Sequence, residues 1–291
     1  MPSRIRIALI SAGLALLPIA VFAQTAEFVG SYTWSGPTRD YGGFSGIEVS
    51  EDGKRFTVIG DRGAIVDGVF TRNGQRITGV NSALQKIKNH YGSPVLKPTS
   101  DAEGLAIRAD GRVFISFENS HRVRAYQQIG SNAQKLAKHP DFKQFSRNSG
   151  LEALAVSTDG TLFALPEHAV NSVIQIYRYK NGRWGTPFQI PAVSSFKPVG
   201  ADFGPDGKFY LLERSFTSVF GFESQIRRFE INGNQISDGE VVLQTSAGTH
   251  GNLEGIALWQ DARGDIRLTM IADDNFIYFQ NSEFVEYRLQ E

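Results

Sequence analysis

The stretch Asp101–Ser120, DAEGLAIRADGRVFISFENS, decides the fold. Two apolar runs flank Asp110-Gly111. Asp-Gly in that setting is the strongest short-range hairpin signal, because a two-residue type I′ turn needs positive φ at both central positions. With Asp110-Gly111 as that turn, Glu103 and Glu118 face each other at the open end of the hairpin. The segment Leu151–Ala169, LEALAVSTDGTLFALPEHA, repeats the arrangement with Asp159-Gly160 as the turn and Glu152 opposite Glu167. Like charges directly opposite on a sheet are destabilising. The same register twice predicts a cation that offsets the repulsion, and hard cations such as calcium take carboxylate oxygens.

The hairpin recurs along the chain. Phe44–Gly63 (FSGIEVSEDGKRFTVIGDRG), Val199–Phe216 (VGADFGPDGKFYLLERSF) and Asn252–Phe276 (NLEGIALWQDARGDIRLTMIADDNF) each run apolar strand, Gly-containing turn, apolar strand, acidic residue. A third strand of alternating character follows in most units: VRAYQQI, VIQIYRY, QIRRFEI and FVEYRL. A repeat of about 40 to 50 residues points to propeller blades, and strands apolar on both faces are what packing between neighbouring sheets requires. The expected fold is all-β, a β-propeller with five visible blades and five or six in all. Glu27–Trp34 would complete the last blade and remove the exposed edges. Asn81–Tyr91 is the single helix candidate, and Lys135–Gly150 is a long connection of the kind that covers sites.

Composition narrows the function. The 291 residues carry 30 basic and 30 acidic side chains, so there is no basic footprint for nucleic acid. Cysteine is absent, which excludes disulfides, thiolate catalysis and cysteine-bound metals. Residues 1–23 read as a signal peptide, with Arg4 and Arg6 before the apolar run Ile7–Leu17 and Val21-Phe22-Ala23 before the cut. The domain is then 24–291, exported to the periplasm or beyond, with no membrane span after cleavage.

In a propeller the start of each first strand and the end of each second strand share one mouth of the central channel. The starts carry Ser45, Glu103, Glu152 and Glu254. The ends carry Asp61, Glu118, Glu167, Glu213 and Asp273 or Asp274. This acidic ring must raise some pKa values or bind cations. Asp61, Glu103, Glu152, Glu254 and Asp273 are the expected calcium ligands. Glu118, Glu167 and Glu213, with His168, are the candidates for ligand support and general acid–base work. Arg62, Arg214 and His250 are candidates for holding an anionic substrate, although side-chain alternation turns Arg62 and Arg214 away from the acids that precede them. Ser45 in GGFSGIE approaches a nucleophile elbow, but the second Gly comes one residue early. No spaced histidine pair for zinc occurs.

In order, FSGIEV…GDRG, DAEGLAI…SFEN, LEALAV…ALPE, LLERSF and NLEGIAL…ADDNF resemble the phytase-like domain family, "esterase-like activity of phytase", over nearly all of the chain after the leader. The resemblance implies a propeller, an exported bacterial protein and calcium-assisted hydrolysis. The Asp-Asp-Pro-Ala-hydrophobic-Trp motif of the well-studied β-propeller phytases is missing, so phytate is not implied as substrate. The expected activity is hydrolysis of a small phosphoester or carboxylic ester. The alternatives are a non-catalytic binding scaffold with structural calcium and a lactonase-like hydrolase.

Overall fold

The computed structural model describes residues 26–38, 40–146, 150–278 and 280–290. The expected leader, 1–23, lies outside the described residues. Among the described residues, twenty-three strands form five blades around a central channel. The first strand, β1 (Ala26–Trp34), belongs to the last blade. Blade 1 is β2 (Phe44–Val49), β3 (Arg55–Gly60), β4 (Ala64–Asn73) and β5 (Arg76–Lys86); blade 2 is β6 (Ala102–Ile107), β7 (Val113–Phe117), β8 (Arg122–Tyr126) and β9 (Gln134–Lys135). Blade 3 holds β10 (Leu151–Val156), β11 (Leu162–Pro166), β12 (Val173–Lys180), β13 (Arg183–Trp184) and β14 (Phe188–Pro191). Blade 4 holds β15 (Lys197–Phe203), β16 (Phe209–Thr217), β17 (Gly221–Phe229) and β20 (Glu240–Gln244), with β18 (Ile231–Asn232) and β19 (Gln235–Ile236) as a small excursion. Blade 5 is β21 (Asn252–Gln260), β22 (Ile266–Asp273) and β23 (Ser282–Leu289), and β1 is its outer strand.

Five hydrophobic cores lie between the blades, one at each junction. That is why the first two strands of every unit are apolar on both faces: each face meets a different neighbour. The ring closes where β1 pairs antiparallel with β23, from Ala26↔Leu289 to Trp34↔Ser282. Trp34 stacks on Phe44 of blade 1 at 4.9 Å and on Phe284 of blade 5 at 5.1 Å, so the closing strand also fastens blade 5 to blade 1. There are five blades, not six, among the described residues.

Two expectations are corrected. The Asn81–Tyr91 helix does not form: Asn81–Lys86 is the end of β5, paired with β4 from Asn81↔Val69 to Lys86↔Ala64. The segment is polar because it is an outermost strand in which exposed residues alternate with half-buried ones such as Leu84. No α-helix occurs among the described residues; a single 3-10 turn spans Pro140–Lys143. The hairpin turns are also one residue longer than a type I′ turn. In blade 2, Arg108 N donates to Arg112 O at 2.9 Å, leaving the three-residue loop Ala109–Gly111. Gly111 has φ 83°, while Asp110 keeps a negative φ and its carboxylate accepts from Arg112 N at 3.2 Å. Asp159 and Gly160 do the same in blade 3. This is a type I turn closed by one left-handed glycine.

Candidate functional site

The longer turn shifts each hairpin by one residue, and a bulge in the inner strand shifts it by another. In β6 the register steps between Ala102↔Phe117 and Leu105↔Ile115, so Glu103 sits in the bulge. Steps at the equivalent place put Ser45, Glu152, Val199 and Glu254 in the bulges of the other blades. Glu103 therefore does not face Glu118. Glu118 N bonds Asp101 O at 3.0 Å, and Glu167 N bonds Gly150 O at 3.1 Å. The paired-glutamate register is wrong, yet the glutamates still converge, because a bulge re-aims its side chain out of the pleat. A small residue follows each bulge. A Cβ on Gly104 would lie 2.7 Å from Glu152 O, and one on Gly255 2.9 Å from Ile47 N. Backbone-to-backbone approach at this level draws the inner strands together around the axis.

Two rings result. The bulge ring is Ser45, Glu103, Glu152, Val199 and Glu254. The ring at the end of the second strands is set by the partners Gly43–Asp61, Asp101–Glu118, Gly150–Glu167, Lys197–Arg214 and Asn252–Asp273. It reads Asp61, Glu118, Glu167, Arg214, Asp273: four acids and an arginine. Together the rings line a cavity of about 670 Å³ formed by Asp61, Glu103, Glu118, Glu152, Glu167, Arg214, Glu254 and Asp273, with Asp101, Asn119 and Asn275. Eight carboxyl groups face one guanidinium there.

The protonation pattern follows from that crowding. Burial, then Glu254 and Asp101, push Asp61 up to about 6. Burial and then Asp101 push Glu118 up to about 7. Asp273 rises to about 9 through burial, then Glu254 and Asp61. Glu103 and Glu152 are raised well above the carboxylate range, first by burial and then by Glu152 and Glu118 respectively. Arg214 is the local counter-charge: Nη1 lies 2.5 Å from Glu254 Oε1, it also bonds Asn252, and Nη2 is 4.0 Å from Glu167 Oε1. Deeper along the inner strands lies a second acid pair. Glu48 accepts from Ile107 N at 2.8 Å and Asp202 from Leu258 N at 2.6 Å. Burial, then the Asp202 charge, raises Glu48, and burial pushes Asp202 up to about 7.

Three expected site residues lie elsewhere. Glu213 is fully buried inside blade 4, bonded to Arg227 at 2.6 and 2.7 Å and to Gln225 at 2.8 Å. It pairs with Pro198, one residue short of the ring, so Arg214 takes the place expected for it. His250 turns outward, Nε2 lying 2.7 Å from Tyr287 Oη, into a separate pocket with Phe28 and Glu283. Arg62 leaves the cavity, as alternation predicts, and lies over the Phe276 ring at 3.4 Å. His168 stands at the rim: its Nδ1 is 3.0 Å from Glu167 Oε2, and Lys197 Nζ reaches Glu167 Oε1 at 3.2 Å. Asp101, Asn119 and Asn275 are cavity residues that the sequence reading missed. For the two asparagines, an Asn just past a strand-end acid is the signal, since Asn119 and Asn275 hold φ of 58° and 48°, which Asn tolerates.

The donor set is all oxygen and strongly anionic, the chemistry of a hard cation. As the side chains stand, no three acidic or histidine side chains among the described residues converge tightly enough to hold a metal. Side-chain rotation, including release of Glu254 by Arg214, would be needed. A cavity of about 680 Å³ opens on the opposite face between blades 3 and 4, but two of its cations are already engaged, Lys180 with Asp159 and Arg178 with Asn234.

The fold and this acidic mouth define a five-bladed propeller with a carboxylate-lined central site. The family described as "Phytase-like: Esterase-like activity of phytase" matches residues 39–276, and the chain belongs to it. No protein of curated function matches significantly. Similar solved structures include an exo-beta-1,3-galactanase from Phanerochaete chrysosporium, at 10% identity over 90% of this chain and 64% of that one, TM-score 0.56. A protein of unknown function from Dyadobacter fermentans is 9% identical over 92% of this chain and 100% of that one, TM-score 0.51. A gluconolactonase from Xanthomonas campestris is 17% identical over 80% and 68%, TM-score 0.45. At 9 and 10% identity the likeness to the first two is one of fold alone.

Proposed function

We propose that this protein is an exported hydrolase of small ester substrates, phosphoester or carboxylic ester, that works with calcium held at the acidic mouth. The observation that carries the reading is the convergence of eight carboxyl groups on one cavity with a single arginine. Leaving that many acids desolvated together costs stability, and a bound cation offsets it. Glu103, Glu152 and Glu254 on the bulges, with Asp61 and Asp273 above them, are the candidate ligands. Calcium bound there would polarise a substrate oxygen and acidify a water.

The remaining residues divide the work. Glu118, on the ring of second-strand ends beside the candidate ligands, is placed to take a proton from a water on the cation and return it. Glu167 is held in place by Lys197 and His168 and serves as ligand or orienting group. Arg214, freed from Glu254 when a cation takes that carboxylate, would bind the anionic group of the substrate. Glu213, Arg62 and His250 have no part in the reaction.

Calcium titration of the metal-stripped protein tests this, following melting temperature and hydrolysis of p-nitrophenyl phosphate, p-nitrophenyl acetate and a sugar lactone together. Calcium should stabilise the fold and switch on at least one activity, and the substrate turned over names the bond. Stabilisation with no turnover on any of the three would leave a binding scaffold with structural calcium. No response of either kind would sink the metal site.

A further inference from the structure

Blade 4 differs from the others at the mouth. β3, β7, β11 and β22 end at or just before their ring residue, at Gly60, Phe117, Pro166 and Asp273. β16 continues to Thr217, and its pairing with β17 extends past Arg214↔Ser224 through Ser215↔Glu223, Phe216↔Phe222 and Thr217↔Gly221. Three further residues carry this hairpin about 10 Å beyond the ring. Its end is apolar and uncovered: Phe216 is 61%, Val219 78% and Phe220 70% exposed. It is also held in place. Phe216 and Phe222 pack at 4.8 Å, Ser215 Oγ bonds Ser195 Oγ at 2.7 Å, and Gly248 N bonds Phe222 O at 2.8 Å. On the neighbouring blade the loop after β22 exposes Tyr278 fully at the same face.

The apolar surface begins where the cavity ends. Arg214, the one basic side chain among the described residues that line the cavity, is on the same strand, and its guanidinium lies 5.5 Å from the Phe222 ring. A ligand whose polar head sits on Arg214 has its body directed along the hairpin. A small, wholly hydrophilic substrate would leave three large apolar side chains in water on a braced element, which folded surfaces usually avoid. We infer that Ser215–Phe222 is the specificity element of the mouth and receives the alkyl, acyl or aryl part of an amphiphilic ester. The inference rests on the hydrolase reading for the bond cleaved, though not for the binding preference.

Two measurements keep the readings apart. The first is calorimetric binding of octyl phosphate and methyl phosphate in calcium, below the micelle threshold of the octyl compound. The second is kcat/KM for p-nitrophenyl octanoate against p-nitrophenyl acetate. The octyl chain should be preferred by at least about tenfold, since each fully buried methylene is worth a factor of about four. In the triple variant Phe216→Ser, Val219→Ser, Phe220→Ser, with its melting temperature checked, that ratio should fall to near unity. If neither ester is cleaved, the carboxylic-ester reading fails while the phosphate ratio still decides the hairpin. Equal affinity for both phosphates, or a preference the variant retains, overturns the inference. So does hairpin-dependent sedimentation with phosphatidylcholine vesicles in the absence of any chain-length preference.

Discussion

Arg214 and Glu213 are neighbours in sequence with opposite fates. Glu213 faces the blade interior, where Arg227 and Gln225 satisfy it. Removing one partner of a buried ion pair leaves an uncompensated charge, so Glu213→Ala should cost about 3–5 kcal/mol by chemical denaturation. Turnover per folded molecule should not change. Glu152→Gln should do the reverse. It removes a carboxyl group whose ionisation is opposed by burial and then by Glu118, so the metal-free protein should melt higher at pH 8, while stabilisation by calcium shrinks or disappears. Arg214→Met, which keeps the length of the side chain and removes its charge, should lower kcat/KM on an anionic phosphoester by roughly tenfold or more. A fall of the same size on an uncharged ester would argue against Arg214 contacting the anionic group.

The bulged inner strand is the element that builds the site. Its acids reach the channel because the bulge turns them there, and the small residue behind each bulge lets the next blade's backbone come close. Gly104→Val would push a side chain against Glu152 O and Leu154 Cβ, at 2.7 and 2.6 Å from the Cβ position alone. Overpacking of this kind costs about 1–3 kcal/mol. It should also move Glu103, so calcium affinity should fall with stability; calorimetry on the variant separates the two. An unchanged calcium affinity would show that the bulge does not position Glu103. Here the hairpin was legible in the sequence and its register was not. Asp-Gly marks the turn, but a side chain that keeps Asp110 at negative φ converts a two-residue loop into a three-residue one. No pattern in DAEGLAI marks the bulge.

Across the whole molecule the acidic mouth makes stability depend on pH. Asp61, Glu118 and Asp273 have folded pKa values of about 6, 7 and 9, above the ordinary carboxylate range. The folded state therefore binds more protons than the unfolded chain, and stability falls as pH rises from about 4 through these values. The metal-free protein should melt higher at pH 5 than at pH 8, by several °C. Saturating calcium should flatten or reverse that trend, because the cation binds the ionised carboxylates. A melting temperature independent of pH without metal would mean that the cavity is wetter and less coupled than its geometry indicates.

By itself the sequence determined the architecture. Repeated apolar hairpins at blade spacing, closed by an N-terminal strand, have few ways to bury both faces of every sheet, and a ring of blades is one that leaves no long edge exposed. It also determined that acids gather at one mouth, since strand direction alone sends the starts and ends there. Which acids do so was decided only by the tertiary structure. One extra residue in the turn and one in the bulge moved every register. They brought Asp101 into the cavity, set Arg214 in the place expected for Glu213, and left Glu213 to an ion pair inside the blade. Side chains alternate with a period of two, so a one-residue shift exchanges cavity for core, and composition does not record which of the two a residue occupies.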